Sequence, residues 1–574
     1  MAKLKAYVRY NKKGIIVPSS LVIQQFKPKN GNWEEISFNK TELSSPVNNS
    51  INNLRAFVRY NGKNKVISGS LIVRNRVPQE GNWKEITYKK SFPLNNKPFI
   101  LEFTITSPDT TISIPLGGAT FTEYNFSVDW GDGEIVEGLV GNSSNLNAQM
   151  VHTYTEPGVY DIKILGTFPY LYLYGGTNKN LLTDIKQWGT TKWESFAESF
   201  RECAGLTNIT ATDTPDFSRI RLSLGLTDKQ FYNTFRGCSN LTSIEFTRYW
   251  NFKGVEKLDL MFTLCSSLTE FSALETWDTS TTVNMYALFG ITNITSNDLL
   301  YMSDWDVSKV QIFQQMFVVC DSLTNLDGLA NWDVSSATDM HRMFRTISNL
   351  SNIDGLANWD VSNVTDMAYM FQAFNIPDVL TNLDALANWD VSSVTTMERM
   401  FQQRTSLTDI NGLANWDTGN VTNMYAMFSE VPLDSSINVL NNWDVSSVTT
   451  MEFMFDGQST NITATSVDLN NWDVSSVTNM SNIFDDQSLI TELGIDQWNI
   501  KNVSNLFNFP CQNSTLTTEN YDAILIAWAA QIPLSYNGTL DFGNSKYSLG
   551  GSAEAARNAL IADVGAISDG GAAS

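Results

Sequence analysis

Between residues 320 and 400 one arrangement of apolar positions recurs. Leu323, Leu326, Leu329 and Trp332 put an apolar group at every third residue, as a tightly winding leucine-rich coil does, and Val334 then opens a short VSS segment. In the following unit Met367, Met370 and Phe371 fall at i, i+3 and i+4, with Thr365 or Asp366 placed to cap the run. That spacing predicts a helix whose three large residues point inward. Without a neighbouring coil the Leu, Trp and Met-Phe groups would stay wet, so each unit is stable only when stacked.

Tryptophans at 250, 277, 305, 332, 359, 389, 416, 443, 472 and 498 set the period, with separations of 27, 28, 27, 27, 30, 27, 27, 29 and 26 residues. A period in the upper twenties predicts a solenoid, whereas propeller blades built on Trp-Asp need about 40 to 45 residues. The ten regular coils would stack to about 48 Å. Eight of the tryptophans, Trp277 to Trp472, precede an aspartate. Stacking brings these like charges close, so each needs compensation, either from the backbone N–H groups of the following turn or from bridging calcium. Cys203, Cys238, Cys265 and Cys320 share one phase of the earlier units, which predicts stacked buried thiols rather than disulfides.

Upstream the pattern changes to alternation. Residues 4 to 40 reappear at 54 to 90 with a shift of fifty, Tyr10 matching Tyr60 and Trp33 matching Trp83. Each copy has short alternating runs such as KAYVRY and SLVIQQF broken by NKKG or NGKN, the pattern of small antiparallel β units. Strand-like runs continue from Phe99 to Gly166 with Gly, Pro and Asn turns, as in a small β-sandwich. Beyond Phe507, TTENYDAILIAWAAQ and GSAEAARNALIADVG predict two helices that close the last coil.

Charge divides the chain. Among its 574 residues 60 are acidic and 38 basic, net −22, yet the first 100 residues hold 18 Lys and Arg against 5 Asp and Glu, +13, which leaves −35 for the rest. A basic face favours an anionic partner and an acidic one repels nucleic acid. The competing reading is a lysine-rich solvated face on an ordinary domain. Two histidines and five cysteines without close pairs exclude zinc and iron-sulfur spacings, and no phosphate loop or nucleophile elbow occurs. These absences argue against an enzyme. Without a secretory signal or an apolar run of about 18 residues, synthesis in the cytoplasm and no membrane insertion are expected.

Three resemblances sharpen the picture. The duplicated modules, of the form KAYVRY…GNW.EI, resemble modules in structural proteins of crAss-like tailed bacteriophages. The runs VDWGDGE and HTYTEPGVYDIKI resemble the signature of PKD domains, which implies a binding or spacer module. There Asp129, Asp132 and Glu134 admit a calcium reading, against which Asp-Gly is also what a tight hairpin turn requires. The units NLDGLANWDVSSVTDMxxMF resemble BspA-like leucine-rich-repeat proteins, which implies a surface or adhesion role.

The expected architecture is therefore multidomain: β modules at 1–47 and 48–97, a PKD-like sandwich at 98–167, an α/β leucine-rich solenoid at 168–508 and a helical cap at 509–574. The expected function is a non-enzymatic virion protein, a tail or head appendage. It would dock on other virion proteins through its basic modules and present the solenoid to a host-surface glycan or protein. The rival is a bacterial cell-surface adhesin. Oligomerisation is expected for an appendage, although no heptad run specifies a number. Two places vary between matching units: the connection after Met-Phe, and the positions between the inward methionines. Tyr286, Arg342, Tyr369, Arg399, Tyr425 and Phe453 occupy the latter and are the candidate receptor-binding residues, set against drift at exposed positions. No cofactor is expected beyond the calcium alternative.

Overall fold

A computed structural model describes residues 97–117, 124–220, 230–457, 462–511 and 513–573, together with the backbone of six short strands between residues 5 and 86. The chain forms two compact units, Met1–Asn95 and Asn96–Ser574.

In the first unit β1 (Lys5–Arg9) lies between β2 (Val22–Gln24) and β3 (Trp33–Ile36), antiparallel to both. The second copy repeats this order with β4 (Arg55–Arg59), β5 (Ile72–Arg74) and β6 (Trp83–Ile86). Register follows the fifty-residue shift, since Arg9 pairs with Trp33 as Arg59 pairs with Trp83. The turns NKKG and NGKN and the basic face expected here lie outside the described residues.

The second unit begins with an antiparallel sheet. β7 (Phe99–Ile105), β9 (Tyr124–Asp129), β10 (Ile135–Gly141), β12 (Gly158–Thr167) and β13 (Leu182–Gln187) are ordered β10-β9-β12-β7-β13, and β8 (Thr110–Ser113) pairs with β11 (Val151–Tyr154). Alternate residues of β7, Phe99, Leu101, Phe103 and Ile105, are buried, as the period of two requires. The fifth strand comes from beyond residue 167, so the sheet continues directly into the repeats.

There each unit is one coil, and coils meet in parallel. A bridge one residue wide runs Lys257, Asn284, Ile312, Asp339, Asp366, Thr396, Asn423, Thr450, Asn479, Asn505. Beside it the amides of Met340, Arg342, Phe344 and Thr346 donate to the carbonyls of Asp366, Ala368, Met370 and Gln372 in the next coil, at 2.7 to 3.0 Å. Neighbouring coils repeat this set, always donating toward the carboxy-terminal neighbour. A threonine file runs the other way: Thr365 N–H to Thr338 O, Thr395 to Thr365, Thr422 to Thr395.

The helix expected over Met367–Phe371 does not form, which corrects the α/β assignment: the coils are turns and short 3-10 helices, and the chain as a whole is mainly β with few helices. The residue two after the leading Met is left-handed, with φ of +58° at Arg342, +60° at Tyr369 and +50° at Arg399. No helix interior accepts that conformation. Amides that would bond within a helix instead reach the next coil, and Asp366 Oδ1 accepts from the Ala368 amide at 2.8 Å as a local turn. Met367, Met370 and Phe371 are nonetheless fully buried, because the turn places them on one side as a helix would.

Tryptophan supplies both bulk and a bond. Each indole Nε1–H from Trp305 to Trp498 donates to a carbonyl of the preceding coil, for example Trp332 to Met302 O at 2.9 Å and Trp359 to Leu329 O at 3.0 Å. The rings of Trp305, Trp332, Trp359 and Trp389 stack 6.2 to 6.5 Å apart. The cysteine file works similarly: Cys238, Cys265 and Cys320 are free, and each thiol donates to a Phe carbonyl of an earlier coil at 3.1 to 3.2 Å. Later coils satisfy the same carbonyl position with Arg404 on Phe371 O and Gln487 on Phe455 O.

After Cys511 two helices, Thr518–Ala529 and Ser552–Val564, join parallel strands β16 (Gly538–Asp541) and β17 (Gly565–Ser568). Within the last repeats β14 (Ser466–Asp468) pairs in parallel with β15 (Glu492–Gly494). Trp528 extends the indole file, donating to Ile495 O at 3.2 Å. Among the described residues no helix is long and apolar enough to cross a membrane.

Candidate functional site

The left-handed turn decides which side chains the coils present. Between the buried Met residues lie two positions, at which the six candidate residues are half-exposed while Ala287, Ala368 and Ala426 are buried, and the six divide between them. Tyr286 and Tyr425 follow the leading Met directly, whereas Arg342, Tyr369, Arg399 and Phe453 occupy the left-handed position.

Five of the six are brought together. The Arg342 guanidinium lies 4.6 Å from the Tyr369 ring centre, and that of Arg399 lies 5.4 Å from Tyr369 and 4.6 Å from Tyr425. Tyr425 meets Phe453 edge-on at 5.8 Å. The Tyr369 hydroxyl donates to Glu398 Oε1 at 2.5 Å, and Arg399 Nη1 bonds the same oxygen at 3.2 Å. Burial and the Glu398 bond raise the Tyr369 pKa above its ordinary value, so its hydroxyl stays a donor. Tyr286 has no part in this chain of contacts, since the coil carrying Gln314 and Gln315 separates it from Arg342.

Two residues absent from the candidate set belong to the patch. Arg345 lies 5.9 Å from the Tyr369 ring and 5.4 Å from that of Phe374, an exposed aromatic in the long connection after Phe371. Arg345 and Phe374 stand in the connection after Met-Phe, the second place that varies between units, from which the candidate set takes no residue.

The long connection is pinned from inside. Asp378 and Arg404 form an ion pair at 2.7 Å with both side chains fully buried, and Asp378 Oδ2 also accepts the Ser406 amide at 3.0 Å. Further along, Asp456 is 3% exposed and its Oδ1 has no partner. Burial first, then the charges of Asp485, Glu430 and Asp486, push its pKa to about 7.

The Trp-Asp carboxylates are compensated by the local backbone. The Oδ1 atoms of Asp306, Asp333, Asp360, Asp390, Asp444 and Asp473 each accept the amide two residues on at 3.0 to 3.1 Å. The serine that follows supplies the largest lowering of the pKa at Asp306, Asp390 and Asp444. In the amino-terminal sheet the three calcium candidates are engaged otherwise. Asp132 Oδ2 meets His152 Nε2 at 2.7 Å, Glu134 lies 3.6 Å from His152 Nδ1, and Asp129 lies 3.6 Å from Lys163 Nζ. Gly131 and Gly133 have φ of +88° and +106°, which the tight β9–β10 turn uses. Among the described residues no group of three or more His, Cys, Asp or Glu is placed to hold a metal ion.

Comparison with known families finds one match. Residues 229–351, 290–383, 319–430, 378–459 and 426–522 each match a family described as "Mycoplasma protein of unknown function, DUF285". These overlapping segments run from 229 to 522, more than half of the chain, and contain the whole Arg-Tyr patch. No curated protein and no solved structure matches.

Proposed function

The chain belongs to the DUF285 family, and from that premise we propose that it is a non-enzymatic recognition protein whose repeats form a solenoid displaying a binding stripe to a cell surface. The observation that carries this is the patch from Arg342 to Phe453. The coils spend their Leu, Trp, Met and Phe on stacking, while the half-exposed positions between the methionines gather arginine and aromatic side chains into contact. Such residues give contact area at small entropic cost.

The carrier we propose is a phage particle. Supporting that reading are the resemblance of the duplicated modules to phage structural proteins and the change from +13 in the first 100 residues to −35 after them. The modules would dock on other virion proteins, the PKD-like sandwich would space the solenoid from them, and the appendage would be a homo-oligomer. The second reading, a bacterial cell-surface adhesin, is favoured by membership of a family described from Mycoplasma.

Peptide mass spectrometry of purified particles tests the first reading. Absence of the chain there, together with its labelling on intact bacteria, would transfer the assignment to the adhesin. Changing Tyr369, Arg399 and Tyr425 together to Ala is expected to weaken cell binding without unfolding the coils. Release of product from host polysaccharide by the intact chain would overturn the non-enzymatic assignment.

A further inference from the structure

Between residues 310 and 500 the chain carries 24 Asp and Glu but only four basic residues, Arg342, Arg345, Arg399 and Arg404. Arg404 is used internally on Asp378. The other three converge on a single ring, with guanidinium carbons 4.6, 5.9 and 5.4 Å from the Tyr369 centre for Arg342, Arg345 and Arg399.

In so acidic a stretch, arginines serving only solubility or stability would pair singly with carboxylates. Arg248 and Arg557 do so elsewhere, each at 2.7 Å. Within the cluster only Arg399 has a carboxylate, Glu398 at 3.2 Å. No ion pair with Arg342 or Arg345 occurs among the described residues. Arg342 Nε is buried without an acceptor, and Arg345 Nε donates to the neutral Gln372 Oε1 at 2.6 Å. Burial and then the neighbouring guanidinium of Arg342 lower the Arg345 pKa. Three positive charges thus stand together with one counter-charge, a repulsion that an incoming oxyanion relieves. Stacking on Tyr369 and Tyr425 holds the guanidinium planes and leaves N–H edges for bidentate bonds. Phe374, 47% exposed beside Arg345, offers an apolar face next to the charge.

We propose that Arg342, Arg345 and Arg399 bind the sulfate or carboxylate group of an acidic saccharide, whose sugar ring lies against Phe374. The proposal deepens the recognition reading above and rests on it. An acidic peptide would meet the same charges but has less use for an aromatic platform, so the saccharide is the occupant argued here.

The test is calorimetric titration of the full chain with a sulfated oligosaccharide, a uronic-acid oligosaccharide, a neutral one of the same length, and a polyglutamate peptide. Expected is binding of one or both acidic saccharides, weakened by salt, with no binding of the neutral one. The arm that binds more tightly identifies the anion. Replacing Arg342, Arg345 and Arg399 together by Gln should weaken binding by about a hundredfold or more, since charge-assisted bonds are lost. A single Arg219→Gln should leave it unchanged. Replacing the three by Lys keeps the charge without the plane and should recover only part of the affinity. Unchanged affinity in a folded Gln variant, no binding of either acidic saccharide, or tighter binding of polyglutamate overturns the site. If cells still bind the Gln variant fully, the site is wrong while the recognition reading survives. If acidic saccharides bind and cells do not, the site stands and that reading falls.

Discussion

Asp378→Ala removes the carboxylate from an ion pair that has no access to water. Arg404 would remain, fully buried, with Nε on Phe371 O and Nη2 already lacking a partner. An uncompensated buried guanidinium costs about 3–5 kcal/mol. The Ser406 amide also loses its acceptor, about 1 kcal/mol more. Arg404→Met should cost less. At the matching position other coils carry Cys320 or Ile347, so the fold accepts an apolar group there, and Asp378 would keep the Ser406 amide. The double variant Asp378→Ala/Arg404→Met should therefore be more stable than Asp378→Ala alone, with a coupling of about 2 kcal/mol or more. Coils need not unfold together, so denaturant melts should be paired with hydrogen exchange followed over residues 372–408. Loss of protection should centre on that segment. A cost below about 1 kcal/mol for Asp378→Ala, or strictly additive single effects, would refute the claim that this pair anchors the long connection.

Three further outcomes are expected. Asp456 holds its proton more tightly when folded than its ordinary value of 3.8 allows, so its favourable contribution is complete below that pH and is lost as pH rises through about 7. Asp456→Asn should accordingly raise Tm at pH 8 far more than at pH 4.5, by up to about 4 kcal/mol in stability, and equal gains at both pH values would contradict it. Trp359→Phe keeps an aromatic ring but removes the 3.0 Å indole bond to Leu329 O, which retains the Trp332 amide at 3.1 Å, and should cost about 1 kcal/mol by denaturant titration. Cys238 and Cys320, pushed by burial to about 12 and about 11, should resist alkylation in the native chain and react once it is unfolded; rapid native labelling would place them at the surface.

The period of the coils and the identity of their inward residues were readable from spacing alone, because stacking demands the same apolar groups in every unit. Local backbone conformation was not. Met367, Met370 and Phe371 satisfy a helix at i, i+3 and i+4, yet a turn through left-handed Tyr369 buries the same three, and an apolar pattern reports burial rather than dihedral angles. The carboxylates after tryptophan were legible because Asp accepts the amide two residues on by short-range geometry. The Arg-Tyr patch was legible only in part. Comparing units isolates Arg342, Tyr369 and Arg399 by position, whereas Arg345 and Phe374 lie in the connection after Met-Phe, whose changing length leaves no matched position to single them out. The scarcity of basic residues between 310 and 500 was the signal that would have included Arg345. Pairing of β13 with β7 depends on where the chain returns in space, which no local pattern records.

The one-way bonds at the Met-Phe turns make that strip of the stack electrically polar. In the coil from Met340 to Thr346 four peptide units lie along the direction of stacking with N–H toward the carboxy-terminal neighbour, and successive coils add to them head to tail, as peptide groups do along an α-helix. The threonine file runs the opposite way along its own strips, where Ser351 and Asn352 donate to Thr324 O and Thr365 and Asp366 to Thr338 O. One end of the Met-Phe strip is thus a row of carbonyls and the other a row of amides. At the amide end Cys511 N–H passes its bond to Asp541 O of the terminal segment, so that segment closes a dipole as well as an apolar edge.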